Sequence, residues 1–220
     1  EIKKHFSTAA LNKTFFHAHG TSTPQNRETE SHIISSISKA FGIEALPVTA
    51  IKSYLGHSLA AAGGDQMISA LGSWKNNLIP GITSTPKLAE NVYTENVEFL
   101  LQNKKFEEDE FDFAVLNAKG FGGNNGTSLV ASPAKAMKML KSKYSKKDVQ
   151  AYLMKKSKTD DQLSASKQEI LQGDLKSRYI FGEGVIDGMN DFEIEADKIT
   201  NKFSKEIFDL NSTLPYKDYL

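Results

Sequence analysis

The sequence predicts an α/β fold up to about residue 132 and a mostly helical extension after it. Three observations carry this reading. Short apolar runs alternate with stretches of helical periodicity and are punctuated by glycine turns, the pattern of strands layered against helices. The composition changes at Pro133: between Ala134 and Lys158 stand nine lysines and a single aspartate, Asp148. Three polar, glycine-bearing segments also fall at predicted strand or helix boundaries, where α/β folds place their ligands. The expected division is therefore 1–132 and 133–220.

Each element follows from its own residues. Thr14 to Ala18 reads as a buried strand, ended by Gly20 and Pro24. Asn26 to Phe41 reads as a helix, with Glu30, Ile33, Ile34, Ile37 and Phe41 at helical spacing and Asn26 as its N-cap. Val48 to Ser53 is a second strand. A loop carrying Gly56 leads to a helix from about Ala61 to Asn76, whose apolar stripe includes Met67, Ile68, Leu71 and Trp74. Ile79 to Ile82 and Val97 to Leu101 are short strands. Phe113 to Ala118 is a buried strand, followed by a tight turn and a strand from Thr127 to Ala131. Beyond Pro133, two short amphipathic helices up to Lys158 and another from Asp161 to Leu171 are expected. The tail from Tyr179 to Leu220 is too apolar to be read as disordered.

Composition excludes several classes. The chain has 220 residues, 39% of them hydrophobic, which suffices for one substantial domain, alone or with a smaller appendage. Twenty-seven basic residues balance 27 acidic ones, so no dominant nucleic-acid surface is expected. No apolar run is long enough for a membrane span, and no secretory signal is readable. Cysteine is absent, which removes disulfides, thiolate metal sites and a cysteine nucleophile from these residues. Only Arg27 and Arg178 are arginine among the 27 bases, a bias read as compositional. The opening on Glu1 rather than Met gives the expectation of a fragment or processed chain.

The three polar segments carry the chemistry. In the first, His17 to Pro24, two histidines stand two residues apart and on a strand would face the same way. They could be a metal pair, for which no third ligand stands at a supporting spacing, or ordinary strand-end polar residues. Alternatively His19 is a catalytic imidazole, with Thr21 and Thr23 as hydroxyl donors to a substrate. The second, Lys52 to Gly63, places Lys52 at a strand end and His57 just before a helix start. A neutral imidazole there can donate an N–H to a developing oxyanion, and a nearby ammonium adds to the stabilisation; a surface lysine and a capping histidine would look the same. The third, Asn117 to Asn125, is a glycine-rich turn without the strand or helix context of a phosphate cradle. It either joins two strands or brings backbone N–H groups to a reacting carbonyl, with Phe121 as an apolar gate.

Taken together, HGTSTP, then KSYLGH some 30 residues on, then GFGGNN resemble the C-terminal half of a β-ketoacyl-acyl-carrier-protein synthase of the thiolase superfamily. The resemblance covers Thr14 to Ala131 and implies one βαβαββ half of a layered α/β/α/β/α fold. It implies a decarboxylative Claisen condensation, in which an acylated cysteine is attacked by the carbanion left when malonyl-carrier protein loses CO2. By position, His19 and His57 would stabilise the thioester enolate and Lys52 would tune one histidine. Thr21 and Thr23 would bind the phosphopantetheine arm, and the Phe121 N–H would serve the oxyanion hole while its ring gates the acyl pocket. Glu30 matches an acidic residue of structural importance. No metal and no resident cofactor are implied. The implied partners are an N-terminal half carrying the cysteine, acyl carrier protein, an acyl primer such as acetyl-CoA, and a second copy in a cytoplasmic homodimer.

Some positions depart from the family pattern. Ala60 replaces a glycine, Gln66 an acidic residue and Lys119 an aromatic one. AYLMKK and RYIFGEGVID resemble the extension of the long bacterial ketosynthases, and the lysine-rich stretch is either a solvated helical face or a surface that would suit an acidic carrier protein. Two other classes fit the same motifs: a non-catalytic subunit resembling a chain-length factor, and a carrier-protein-binding module. Retention of His19, Lys52 and His57 together favours the catalytic one.

Overall fold

The structure, a computed structural model, describes residues 10–173 and 190–211. The stretch RYIFGEGVID and the last nine residues lie outside the described residues, as does much of the predicted tail. The chain falls into two units, 1–153 and 154–220.

The first unit is built on a five-stranded sheet. Its strands are β1 (Thr14–His17), β2 (Leu46–Thr49), β4 (Val97–Phe99), β6 (Phe113–Lys119) and β7 (Asn125–Ala131), arranged in the order β4-β2-β1-β6-β7. All pairings are parallel except β6 with β7, which form a hairpin across the glycine turn. β1 is central and buried along its whole length, as a parallel strand covered on both faces must be. Successive side chains go to opposite sides. Phe16 packs with Ile34, Ile43, Leu46 and Val48, while Phe15 packs with Ala70, Ile79, Phe111 and Ala114. A fully buried phenylalanine contributes about 2–3 kcal/mol, so this strand ties together two half-cores.

Helix α1 (Pro24–Phe41) lies on the Phe16 side and α3 (Ala62–Asn76) on the Phe15 side. α1 begins two residues earlier than Asn26, because the Pro24 ring supplies the helical φ at the first position, with Thr23 extended before it. Its buried face is also not the predicted stripe. Glu30, Ser31, Ile34, Ser35 and Ser38 face inward, whereas Ile33, Ile37 and Phe41 stay exposed. Small and polar residues let the helix lie close to the loops at the sheet's end.

Other boundaries differ for local reasons. β2 stops at Thr49, and Lys52 opens a one-turn helix, α2 (Lys52–Leu55), ended by Gly56 at φ 73°. Lys52 is therefore on a turn rather than at a strand end. β3 is only Leu78–Ile79, paired with β5 (Lys104–Lys105), because Pro80 has no N–H to continue the ladder.

After the sheet, α4 (Pro133–Lys143) starts with Ser132 accepting from the Lys135 N–H, an N-cap followed by proline at the first position. α5 (Lys146–Gln172) is one helix of 27 residues, where the sequence predicts shorter helices. No glycine or proline interrupts residues 146–172, so nothing in the sequence stops it. Within the second unit, β8 (Phe192–Ile194), β9 (Lys198–Asn201) and β10 (Ile207–Asp209) form a small antiparallel sheet that the sequence pattern does not foretell. Among the described residues no helix is long and apolar enough to cross a membrane.

Candidate active site

The three polar segments converge beyond the carboxyl ends of β1, β2 and β6. They line a cavity of about 1420 Å3 that takes in His19, Thr21, Thr23, Lys52, His57 and Lys119. Gly20 lets two of them meet. It sits at φ 55°, and a side chain there would come within 2.6 Å of the Ala50 Cβ. Ser22 and Leu59 also hold positive φ, at 61° and 55°, backbone strain of the kind that collects at functional loops.

His19 is buried and held on several sides. The Lys119 backbone N–H donates to its Nδ1 at 3.1 Å. Lys52 Nζ lies 3.5 Å from the same nitrogen and donates to the His19 carbonyl oxygen at 2.7 Å. With Nδ1 accepting, the proton of the neutral ring is on Nε2. Burial holds the His19 pKa below its ordinary value. The Lys52 cation lowers it further, Glu30 opposes, and His57 and Lys119 add to the lowering. Burial likewise lowers the Lys52 pKa, against the carboxylates of Glu30 and Asp65.

His57 is exposed and stands edge-on to His19, with ring centroids 5.3 Å apart and planes at 83°. Its Nδ1 accepts from the Leu59 N–H at 3.1 Å. The strained conformation at Leu59 thus does for His57 what the Lys119 backbone does for His19: it leaves Nε2 as the donor. Ser58 Oγ donates to Asp65 and ties this loop to the start of α3.

Glu30 braces the site from below. Its carboxylate is buried and accepts from the His19 N–H (2.8 Å), the Gly20 N–H (3.0 Å), Asn26 Nδ2 (3.1 Å) and Asn117 Nδ2 (2.6 Å). Gln66 does similar work from α3, where its Nε2 donates to the carbonyls of Ala18 and Asn117 at 2.9 Å each. Sequence reasoning marks Gln66 only as a departure and gives Asn117 no role. The signal that could find them is position: each is an amide in or next to one of the polar segments. Thr21 and Thr23 line the cavity with their hydroxyl oxygens 3.5 Å apart. Phe121 opens the turn Phe121–Gly123, between Gly120, which lines the cavity, and Gly122 at φ 75°.

The structure separates His17 from His19. β1 ends at His17, whose ring is fully buried on the Phe15 side, edge-on to Phe15 at 5.6 Å. Neither ring nitrogen has a hydrogen-bond partner among the described residues, and burial pushes its pKa down to about 4. The two histidines therefore share no ligand.

Residues 6–85 match the Beta-ketoacyl synthase, C-terminal domain family. The chain carries a β-ketoacyl synthase C-terminal domain. It is 43% identical over 188 residues to Beta-ketoacyl-[acyl-carrier-protein] synthase FabY of Pseudomonas aeruginosa, covering 85% of this chain and 29% of that protein. It is 31% identical over 119 residues to 3-oxoacyl-[acyl-carrier-protein] synthase 2 of Coxiella burnetii, covering 54% of this chain and 27% of that one. The crystal structure of the ketosynthase FabY from P. aeruginosa superposes with a TM-score of 0.80 at 36% identity, over 100% of this chain and 34% of that one. The chain thus spans about a third of the length of these relatives. The layered thiolase-like fold read from the sequence is the fold observed. The agreement with FabY extends well beyond residue 132, into the extension.

Proposed function

We propose that this chain is the C-terminal part of a condensing enzyme of fatty acid or related polyketide synthesis. The observation that carries the reading is the pair of imidazoles in one cavity, each with Nδ1 occupied by a backbone N–H and each therefore an Nε2–H donor. Two such donors suit the oxygen of a thioester enolate, where charge develops during reaction.

In this reading the malonyl thioester enters with its carbonyl oxygen between His19 and His57. The bond to the carboxylate breaks, CO2 leaves, and the electron pair moves onto the thioester oxygen as enolate. The enolate carbon then attacks the carbonyl of an acyl-cysteine, forming the new C–C bond and releasing the thiolate. These 220 residues contain no cysteine, so that nucleophile comes from the N-terminal half. Lys52 keeps His19 a neutral donor and adds positive charge near the enolate. Thr21 and Thr23 hydrogen-bond the pantetheine amides of the carrier arm. The Phe121 N–H stabilises the oxyanion of the attacked acyl group. The acyl carrier protein delivers the malonyl group, the primer arrives on CoA or on a carrier, and the full enzyme works in the cytoplasm as a homodimer.

The test is malonyl-carrier-protein decarboxylation and condensation by the full-length enzyme. His19→Ala and His57→Ala should each slow decarboxylation by about 100-fold, the loss of one oxyanion donor. Ordinary turnover in either variant would sink the roles assigned to the two imidazoles, and a wild-type enzyme that binds carrier protein without turnover would leave a non-catalytic subunit.

A further inference from the structure

The cavity wall is strongly cationic. Arg27, Lys52, Lys87 and Lys119 line it. Glu30 is the lining carboxylate among the described residues, and its four hydrogen bonds already engage it. Two of the cations serve the imidazole end: Lys52 holds the His19 carbonyl, and Lys119 Nζ reaches Thr29 Oγ1 at 3.4 Å. The other two have no such duty.

Arg27 stands in the first turn of α1, half-buried on the cavity wall. Its Nε donates to Asn91 Oδ1 at 3.0 Å. A neutral amide orients a guanidinium without cancelling its charge. The two terminal nitrogens meet no carboxylate among the described residues, and they form the planar fork that matches phosphate oxygens. Lys87, in the loop that also carries Asn91, is exposed and has no partner among the described residues. From His19 through Arg27 to Lys87 the lining passes from buried to half-buried to exposed, which sets the last two toward the mouth. Thr21 and Thr23 lie between His19 and Arg27 in the chain. This chain meets nearly every need for a base with lysine, yet has arginine, with its bidentate fork, on the cavity wall.

We infer that Arg27, supported by Lys87, is the anion site at the cavity mouth that seats the phosphate of a 4′-phosphopantetheine arm. The inference rests on the condensing-enzyme reading for the identity of the arm. A thioester at the imidazoles and a phosphate at the mouth are the two ends of one ligand, with the threonine hydroxyls placed for the amides between them. CoA and holo-carrier protein present the same phosphate, so the site serves either source.

The experiment is calorimetric titration of the full-length enzyme with 4′-phosphopantetheine and with pantetheine, which lacks the phosphate. Wild type should bind the phosphorylated ligand about tenfold more tightly or better, the scale of a hydrogen-bonded charge contact. In Arg27→Gln, which keeps an amide to meet Asn91, the two ligands should bind alike, and Lys87→Gln should remove a smaller part of the difference. Equal affinities in wild type, or a preference that survives Arg27→Gln, would overturn the assignment. Repeating the titrations with CoA and with holo-carrier protein separates the sources. The loss in Arg27→Gln follows whichever donor seats its phosphate there, and its absence with both overturns the site. Condensation by the wild-type enzyme, measured alongside, reports separately on the parent reading.

Discussion

The cavity end of the sheet and the long helix α5 are held by opposite means. Around the cavity the bracing contacts join residues far apart in sequence: Glu30 binds Asn117, Lys52 binds His19, and Gln66 binds Ala18 and Asn117. α5 runs for 27 residues without one buried side chain. Local contacts support it: Ser145 and Asp148 exchange hydrogen bonds across its start, and Lys156 pairs with Asp160 one turn on. The first region is specified by assembly, the second by neighbouring residues. Damage should therefore spread through the first and stay confined in the second.

The largest effect is expected at Glu30. Glu30→Ala removes the acceptor for four donors in a buried place. It should lower the stability of the full-length protein by about 4 kcal/mol, read from urea denaturation, and misplace His19 enough to abolish decarboxylation. A loss below about 1 kcal/mol would mean that the cavity end is not held by this carboxylate.

His17 sharpens the comparison through pH. Its folded pKa, about 4, lies below the ordinary 6.5. Between those values the unfolded chain binds the extra proton, so stability rises with pH across that window. The full benefit is present above pH 6.5 and is lost progressively as the pH falls toward 4, a change on the order of 3 kcal/mol. His17→Leu should flatten that slope while costing little at neutral pH, since no hydrogen bond is lost. An unchanged slope in denaturation curves taken at about pH 4.5 and about pH 7 would show that other groups carry it.

The smallest effect belongs to α5. Ser145→Ala removes one N-cap and should cost about 1 kcal/mol, visible as fraying of the first turn in amide exchange, with decarboxylation untouched. Any effect on turnover would mean that the extension communicates with the cavity.

Much of this is legible from the sequence, and what is missed has a common cause. The residues of the three polar segments stand out because their spacing and residue types point to chemistry without coordinates. The predicted apolar stripe of α1 fails because helical periodicity identifies two candidate faces but not which one meets the sheet: Ile34 goes in, and Ile33 and Ile37 stay out. His17 and His19 share a strand parity on paper, yet β1 ends between them and their environments diverge. Arg27 passes for composition because nothing near it in sequence says that it faces a cavity.

By itself the sequence determined the alternation of strands and helices up to Ala131 and the identity of the candidate reacting side chains, because each depends on residues within a few positions of one another. Tertiary structure alone decided which histidine sits in the cavity, which nitrogen of the His19 ring carries the proton, and how Glu30, Gln66 and Asn117 brace the loops. Those outcomes depend on hydrogen bonds between residues such as His19 and Lys119, which lie 100 positions apart in the chain and meet only when β1 and β6 pair.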